Sequence, residues 1–264
     1  MDRDLLKCEL LKNDYYSKVL IEPDKRFVNL KDEIIDIIKI YHPPILLKAG
    51  LGKGRLLLDI AEHSDYIVVV EPCFDIVKIF LEENASDKNI GKINFIIGNF
   101  ENLPIDYFIA DMIICCDYFD ISETSASVDE FSRALQFEGI MIMGNVILHD
   151  DDLDGVFDEL FRKINPLHND YYLKQDLITM MELKKFTLVK DFNNHYNKNL
   201  NDIFSLVKKF SSLDEQGIKT FIDENKQPLK SFYGINDDYS YNEKYLISIF
   251  RKNKYTEDTG LDKK

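Results

Sequence analysis

Apolar residues are spaced along the chain in two rhythms. Up to position 41 they recur at helical spacing, with Leu30, Ile34, Ile35, Ile37 and Ile38 on one face. His42-Pro43-Pro44 stops that run, since proline lacks an amide proton and clashes with the preceding turn. Beyond it, short unbroken apolar bursts alternate with amphipathic stretches. The bursts are Ile45-Leu46-Leu47, Tyr66–Val70, Ile93–Ile97, Met112–Cys116 and Ile140–Met143; Arg55–His63 and Phe74–Glu83 are helical stretches between them. Each burst is too short for a buried helix, and it is continuous, as a strand covered on both faces is. Strand–helix–strand order with buried strands predicts an α/β fold on a parallel sheet with right-handed crossovers.

Two later strands fit the same sheet, Phe186–Val189 and Tyr245–Phe250. Between them Leu200, Ile203, Phe204, Val207 and Phe210 mark one amphipathic helix. Ser212-Leu213-Asp214-Glu215 reads as a capping box opening a second, which ends near Asn225 and Pro228. The expected organisation is therefore an N-terminal helical cap over 1–42, a core over 43–195 and 242–253, a helical insertion over 196–241, and a frayed tail over 254–264.

Composition narrows the functional classes. Lysine and arginine total 33 against 47 acidic residues, a net charge of −14. Residues 101–160 carry that whole imbalance, with Arg133 facing fifteen acids. Nucleic acid is excluded as a main partner, because phosphate binding needs clustered cations. The acidic stretch reads as a solvated face, or as a field that favours neutral or cationic ligands. No apolar run reaches the roughly 20 residues of a membrane span, and the charged start MDRDLLKCELLKND does not fit a signal peptide. Cys8, Cys73, Cys115 and Cys116 show neither zinc-type spacing nor a dense disulfide framework, so a reducing cytoplasm is expected.

The segment richest in chemistry is Lys48-Ala49-Gly50-Leu51-Gly52-Lys53-Gly54, where the first buried strand turns into a helix. Glycines there allow a tight turn and close approach of a ligand to the main chain. Glu71 ends the second strand, where a carboxylate can accept from both hydroxyls of a ribose. Beside Pro72 the same acid would also suit a helix start.

These residues resemble the class I S-adenosylmethionine-dependent methyltransferases, especially those acting on small molecules. Gly50-x-Gly52-x-Gly54 is similar to their first motif, and Glu71, with Pro72 beside it, to their ribose-binding acid. Gly98-Asn99-Phe100-Glu101-Asn102-Leu103-Pro104 resembles the segment that packs on adenine. Asp111–Asp117, with Cys116 and Asp117 at its end, resembles the fourth strand, which passes under the methionine end. Arg133–Gly139 is similar to the link before the fifth strand. The resemblance implies a Rossmann-like, doubly wound, mostly parallel seven-stranded sheet, S-adenosylmethionine as cofactor, and Lys48, Asn99, Phe100 and Glu101 among the cofactor contacts. Two positions depart from the family pattern: Lys48 stands where an acid is usual near the ligand's ammonium group, and Asn99 where an Asp is usual.

His149, Asp117 and Tyr118 are the candidates for catalysis, with Tyr15 and Tyr16 as candidates to cap the acceptor pocket. His149-Asp150-Asp151-Asp152-Leu153-Asp154-Gly155 begins like a calcium loop, but Phe161 stands where its bidentate acid belongs, so no metal site is expected. Cys115-Cys116 reads as core. The expected activity is methyl transfer to a small neutral or cationic acceptor, with no membrane partner and homodimerisation left open. The alternatives are a methyltransferase-like protein that binds without transferring, and a nicotinamide-dependent oxidoreductase, which the glycine spacing disfavours.

Overall fold

In a computed structural model of the chain, described over residues 6–9, 12, 25–52, 54–207, 211 and 214–254, seven strands form one sheet in the order β3-β2-β1-β4-β5-β7-β6. They are β1 (Ile45–Ala49), β2 (Tyr66–Glu71), β3 (Ile93–Ile97), β4 (Ala110–Cys116), β5 (Leu135–Ile147), β6 (Phe186–Asn199) and β7 (Ser240–Lys252). The first five are parallel, and β7 runs antiparallel between β5 and β6. This is the Rossmann-like, doubly wound sheet expected. Tyr15, Tyr16, Lys53, Phe210, Ser212, Leu213 and the tail from 255 lie outside the described residues.

One face of the sheet is covered by α1 (Lys25–Tyr41), α2 (Arg55–Ala61) and α3 (Phe74–Glu83), whose Ile34, Ile38, Leu57 and Phe80 pack on Leu46, Val69 and Met112. The other face is covered by α4 (Thr124–Ala134) and α6 (Lys174–Leu183), with Phe131 and Met181 against Leu47, Val70 and Ile113. Strands β1, β2 and β4 are buried on both faces, which is why their sequences are unbroken apolar runs. The third burst differs: β3 is an edge strand, and only Ile93 in it is fully buried.

Two expectations shift at the far side. The sixth strand does not stop near Val189 but continues to Asn199, pairing with β7 through Asn199↔Ser240, so helices begin only at Leu200. Among the described residues the insertion carries three helices, α7 (Leu200–Val207), α8 (Glu215–Glu224) and α9 (Lys226–Tyr233). The cap of α8 is Asp214, whose side chain accepts from the Gly217 N–H. These helices pack on α5 (Val156–Ile164) and on Tyr241 in a third apolar cluster. Asp152 accepts from the first amides of α5, Val156 at 2.9 Å and Phe157 at 3.1 Å, so the calcium-like loop is a helix cap.

Candidate active site

The C-terminal ends of β1 to β4 meet along one edge of the sheet, where a doubly wound fold binds its ligand. Gly50, Gly52 and Gly54 all have positive φ, at 77°, 56° and 73°. The chain there turns back sharply into α2, held by the Gly50 N–H on the Val70 carbonyl at 2.8 Å. Gly54 lies against α3: a Cβ there would come within 2.3 Å of the Phe80 ring. Gly52 is the opposite case: among the described residues, its chain neighbours aside, nothing lies within 4 Å of the Cβ it lacks, which leaves room there for a ligand.

Glu71 is buried, at 2 % exposure, beside this turn. Its Oε2 accepts from the Leu51 N–H at 2.8 Å and its Oε1 from the Cys73 N–H at 2.9 Å. Burial raises its carboxyl above the usual range, opposed by those two amides and by the charge on Lys48. Each oxygen retains a lone pair for a ribose hydroxyl. The Lys48 ammonium is folded back on the turn itself, donating to the Gly50 carbonyl at 2.7 Å and lying 3.5 Å from that of Ala49.

The segment after β3 is divided in its roles. Glu101 is half-buried and accepts from Lys7 at 3.2 Å and from the Glu123 N–H at 3.2 Å; burial opposes its charge, but these hydrogen bonds and the lysine hold its carboxyl below the usual range. Asn99 is half-buried in a tight turn with Asn102. Phe100 is a correction: it is fully buried with its ring 4.0 Å from that of Tyr118, so it backs Gly50 from below and is no open platform for a base. Tyr118 is a second correction, a core residue at 4 % exposure whose ring packs on Phe100, which removes it from the catalytic candidates.

Asp117 is exposed at the end of β4 with φ 56°, its N–H on the Gly144 carbonyl. Cys115 is buried in the strand core and Cys116 half-buried, and burial pushes the Cys116 thiol up to about 12, so neither is a nucleophile at neutral pH. His149 stands apart, past β5, with its ring stacked 5.4 Å from Phe232 of α9. Three features escaped the sequence reading. Asp120 has its carboxyl raised to about 6 by burial and by Asp117 and Glu243, against the opposing charge of His168. Lys7 lies beside Glu101 and 5.1 Å over the Tyr118 ring. Cys8 is bonded to Cys73, a pairing that the cysteine spacing did not point to.

The fold and the glycine turn agree with what the chain resembles. Residues 47–143 match the methyltransferase domain family. Over that stretch the chain is similar to a methyltransferase domain. No curated protein matches the chain in sequence. Among solved structures, the YcgJ protein of Bacillus subtilis superposes with TM-score 0.73 at 17 % identity, over 86 % of this chain and 100 % of that one. Geranyl diphosphate C-methyltransferase from Streptomyces coelicolor A3(2), solved with Mg2+, geranyl diphosphate and S-adenosyl-L-homocysteine, gives 0.61 at 11 %, over 96 % and 99 %. The [4+2]-cyclase SpnF gives 0.57 at 14 %, over 84 % and 80 %. At these identities the likeness is one of fold, and the same fold houses a cyclase as well as methyltransferases.

Proposed function

We propose that the chain is an S-adenosylmethionine-dependent methyltransferase acting on a small neutral or cationic molecule. The observation that carries this reading is the pairing of the left-handed glycine turn with the buried Glu71 carboxylate. Gly52 leaves open space for the cofactor, and the free lone pairs of Glu71 suit a ribose diol. S-adenosylmethionine, when bound, supplies a methyl group on a positively charged sulfur. The chain's own work is to hold donor and acceptor in line and exclude water, and proximity of that kind contributes ~7–11 kcal/mol. Asp120, which follows β4 closely and feels the charge of Asp117 at that strand's end, has its carboxyl raised to about 6, chiefly by burial, and is our candidate to take a proton from the acceptor. Calorimetric titration with S-adenosylhomocysteine tests the reading; absence of binding to folded protein sinks it.

A second reading, a ligand-binding protein that transfers nothing, is favoured by Lys48. Its ammonium occupies the Gly50 carbonyl at the turn and places a positive charge where a cationic cofactor would approach. A sulfonium ligand would bind weakly there, while 5′-methylthioadenosine, which carries neither sulfonium nor amino acid, would bind better than S-adenosylmethionine. Titration with the two compounds separates the readings.

A further inference from the structure

Residues on the N-terminal side of the sequence reach the ligand end of three strands at once. Cys8 is bonded to Cys73, with Cα atoms 5.1 Å apart, two positions past Glu71 at the end of β2. Lys7 is buried at 4 % exposure and pairs with Glu101, past β3, while its ammonium sits over the ring of Tyr118, past β4. Lys12 pairs with Asp75 in the first turn of α3 at 2.8 Å. In the sheet order, β1 lies between β2 and β4. A segment held past both neighbours crosses the end of the strand between them, where the glycine turn is.

We infer that the Cys8–Cys73 pair is a redox latch that holds this N-terminal strap across the cofactor cleft, so that ligand exchange is slow in the oxidised chain and fast in the reduced one. This rests on the cofactor reading for what is exchanged, but the closure itself does not depend on it. Both ion pairs are reversible: Lys12–Asp75 is exposed and holds the segment only weakly, and Lys7–Glu101, although its lysine is buried, is not covalent. A covalent bond between residues 65 positions apart removes the open state altogether.

The chemistry balances with a small-molecule disulfide as the oxidant. The thiolate of Cys8, half-buried where Cys73 is fully buried, attacks one sulfur of that disulfide and expels a thiolate. Cys73 then attacks the mixed disulfide and expels the second. The protein loses two electrons and two thiol protons; the oxidant gains both and leaves as two thiols. A reduced dithiol reverses the sequence. In a reducing compartment such a bond forms transiently, as in redox-sensing proteins.

The test uses the full-length chain, reduced with a phosphine or oxidised with glutathione disulfide, with the Cys8–Cys73 linkage verified by peptide mass. Hydrogen exchange at 50–52 and 98–103 is read first, without ligand. Oxidation slows it in wild type and leaves Cys8→Ser unchanged if the strap closes the cleft. Equal exchange in both redox states overturns the latch whether or not any ligand binds. Dissociation of S-adenosylhomocysteine is read second, and slowing by roughly tenfold or more on oxidation, absent in Cys8→Ser, is expected. Protection without binding supports the strap and counts only against the methyl-transfer reading; binding with equal dissociation rates in both states overturns the latch.

Discussion

The ammonium of Lys48 and the carbonyl oxygen of Gly50 lie 2.7 Å apart, inside the turn that the lysine itself precedes. A buried cation thus braces the glycine turn by charge-assisted donation to its backbone. Lys48→Glu replaces that donor with an acid near the Glu71 carboxylate and the Gly50 oxygen. The fold should lose roughly 3–5 kcal/mol, the scale for breaking a buried charge interaction. Lys48→Met should lower the melting temperature and bind S-adenosylhomocysteine no more tightly than wild type. Binding at least about tenfold tighter, with the fold intact, would show that the ammonium repels the ligand and would favour the non-transferring reading.

Glu71 links ligand binding to stability. From its place at the strand end alone, truncation would cost affinity and spare the fold; the amides of Leu51 and Cys73 on its two oxygens change that expectation. Glu71→Gln keeps one acceptor oxygen and turns an NH2 toward the other amide. It should cost about 1–3 kcal/mol in denaturant unfolding and weaken S-adenosylhomocysteine binding about tenfold. A variant of unchanged stability would mean that those two hydrogen bonds do not form in solution.

Asp120 should show the opposite trade. Its carboxyl is raised from 3.8 to about 6, chiefly by burial, with Asp117 and Glu243 adding to the shift. An acid with a raised folded value favours the protonated form, so its stability contribution is complete below about 4 and lost as pH rises through about 6. Asp120→Asn should therefore stabilise the fold at pH 7 by roughly 1–2 kcal/mol, allowing for partial exposure, and the gain should vanish below about pH 4. If the same variant also loses turnover, its proton-accepting role is supported. Melting curves across pH 4–8 decide the stability half.

Tyr233 ties the insertion to the loop after β5. Its hydroxyl donates to Asp152 Oδ2 at 2.7 Å and accepts from the His149 N–H at 3.0 Å, and its ring stacks 4.1 Å from that of Phe157. Tyr233→Phe keeps the stack and leaves the amide and the carboxylate each short of a partner. A loss of about 1–3 kcal/mol in equilibrium unfolding is expected. Because Asp152 also caps α5, amide exchange should rise first at 156–164.

Much of this architecture can be read from residue order, for physical reasons. Strands β1, β2 and β4 are buried on both faces, so burial writes itself into the sequence as Leu46-Leu47, Ile67–Val70 and Met112–Cys115. The glycine turn and Glu71 were legible because a left-handed backbone and a strand-end acid are local requirements. The outer half of β6 was not legible: Asp191–Asn199 is rich in Asn and half exposed, and it is a strand only because β7 pairs with it residue by residue. The strap was hidden for a related reason. Lys7 meets Glu101 across 94 positions and Cys8 meets Cys73 across 65, and neither pairing leaves a periodic trace.

The third apolar cluster has a bearing on how this chain can change over generations. Leu160, Phe221, Leu229 and Tyr233 pack among themselves, and Val146 is a partly buried residue that touches both this cluster and the core beneath the glycine turn. Substitutions in the cluster can remodel the surface around His149 and Phe232 while leaving the packing under Gly50 and Glu71 intact. One end of the molecule is thereby free to drift toward new small molecules while the other keeps its nucleoside, a division of labour that the paired strands β6 and β7 make mechanically available by carrying the helices out on a ribbon.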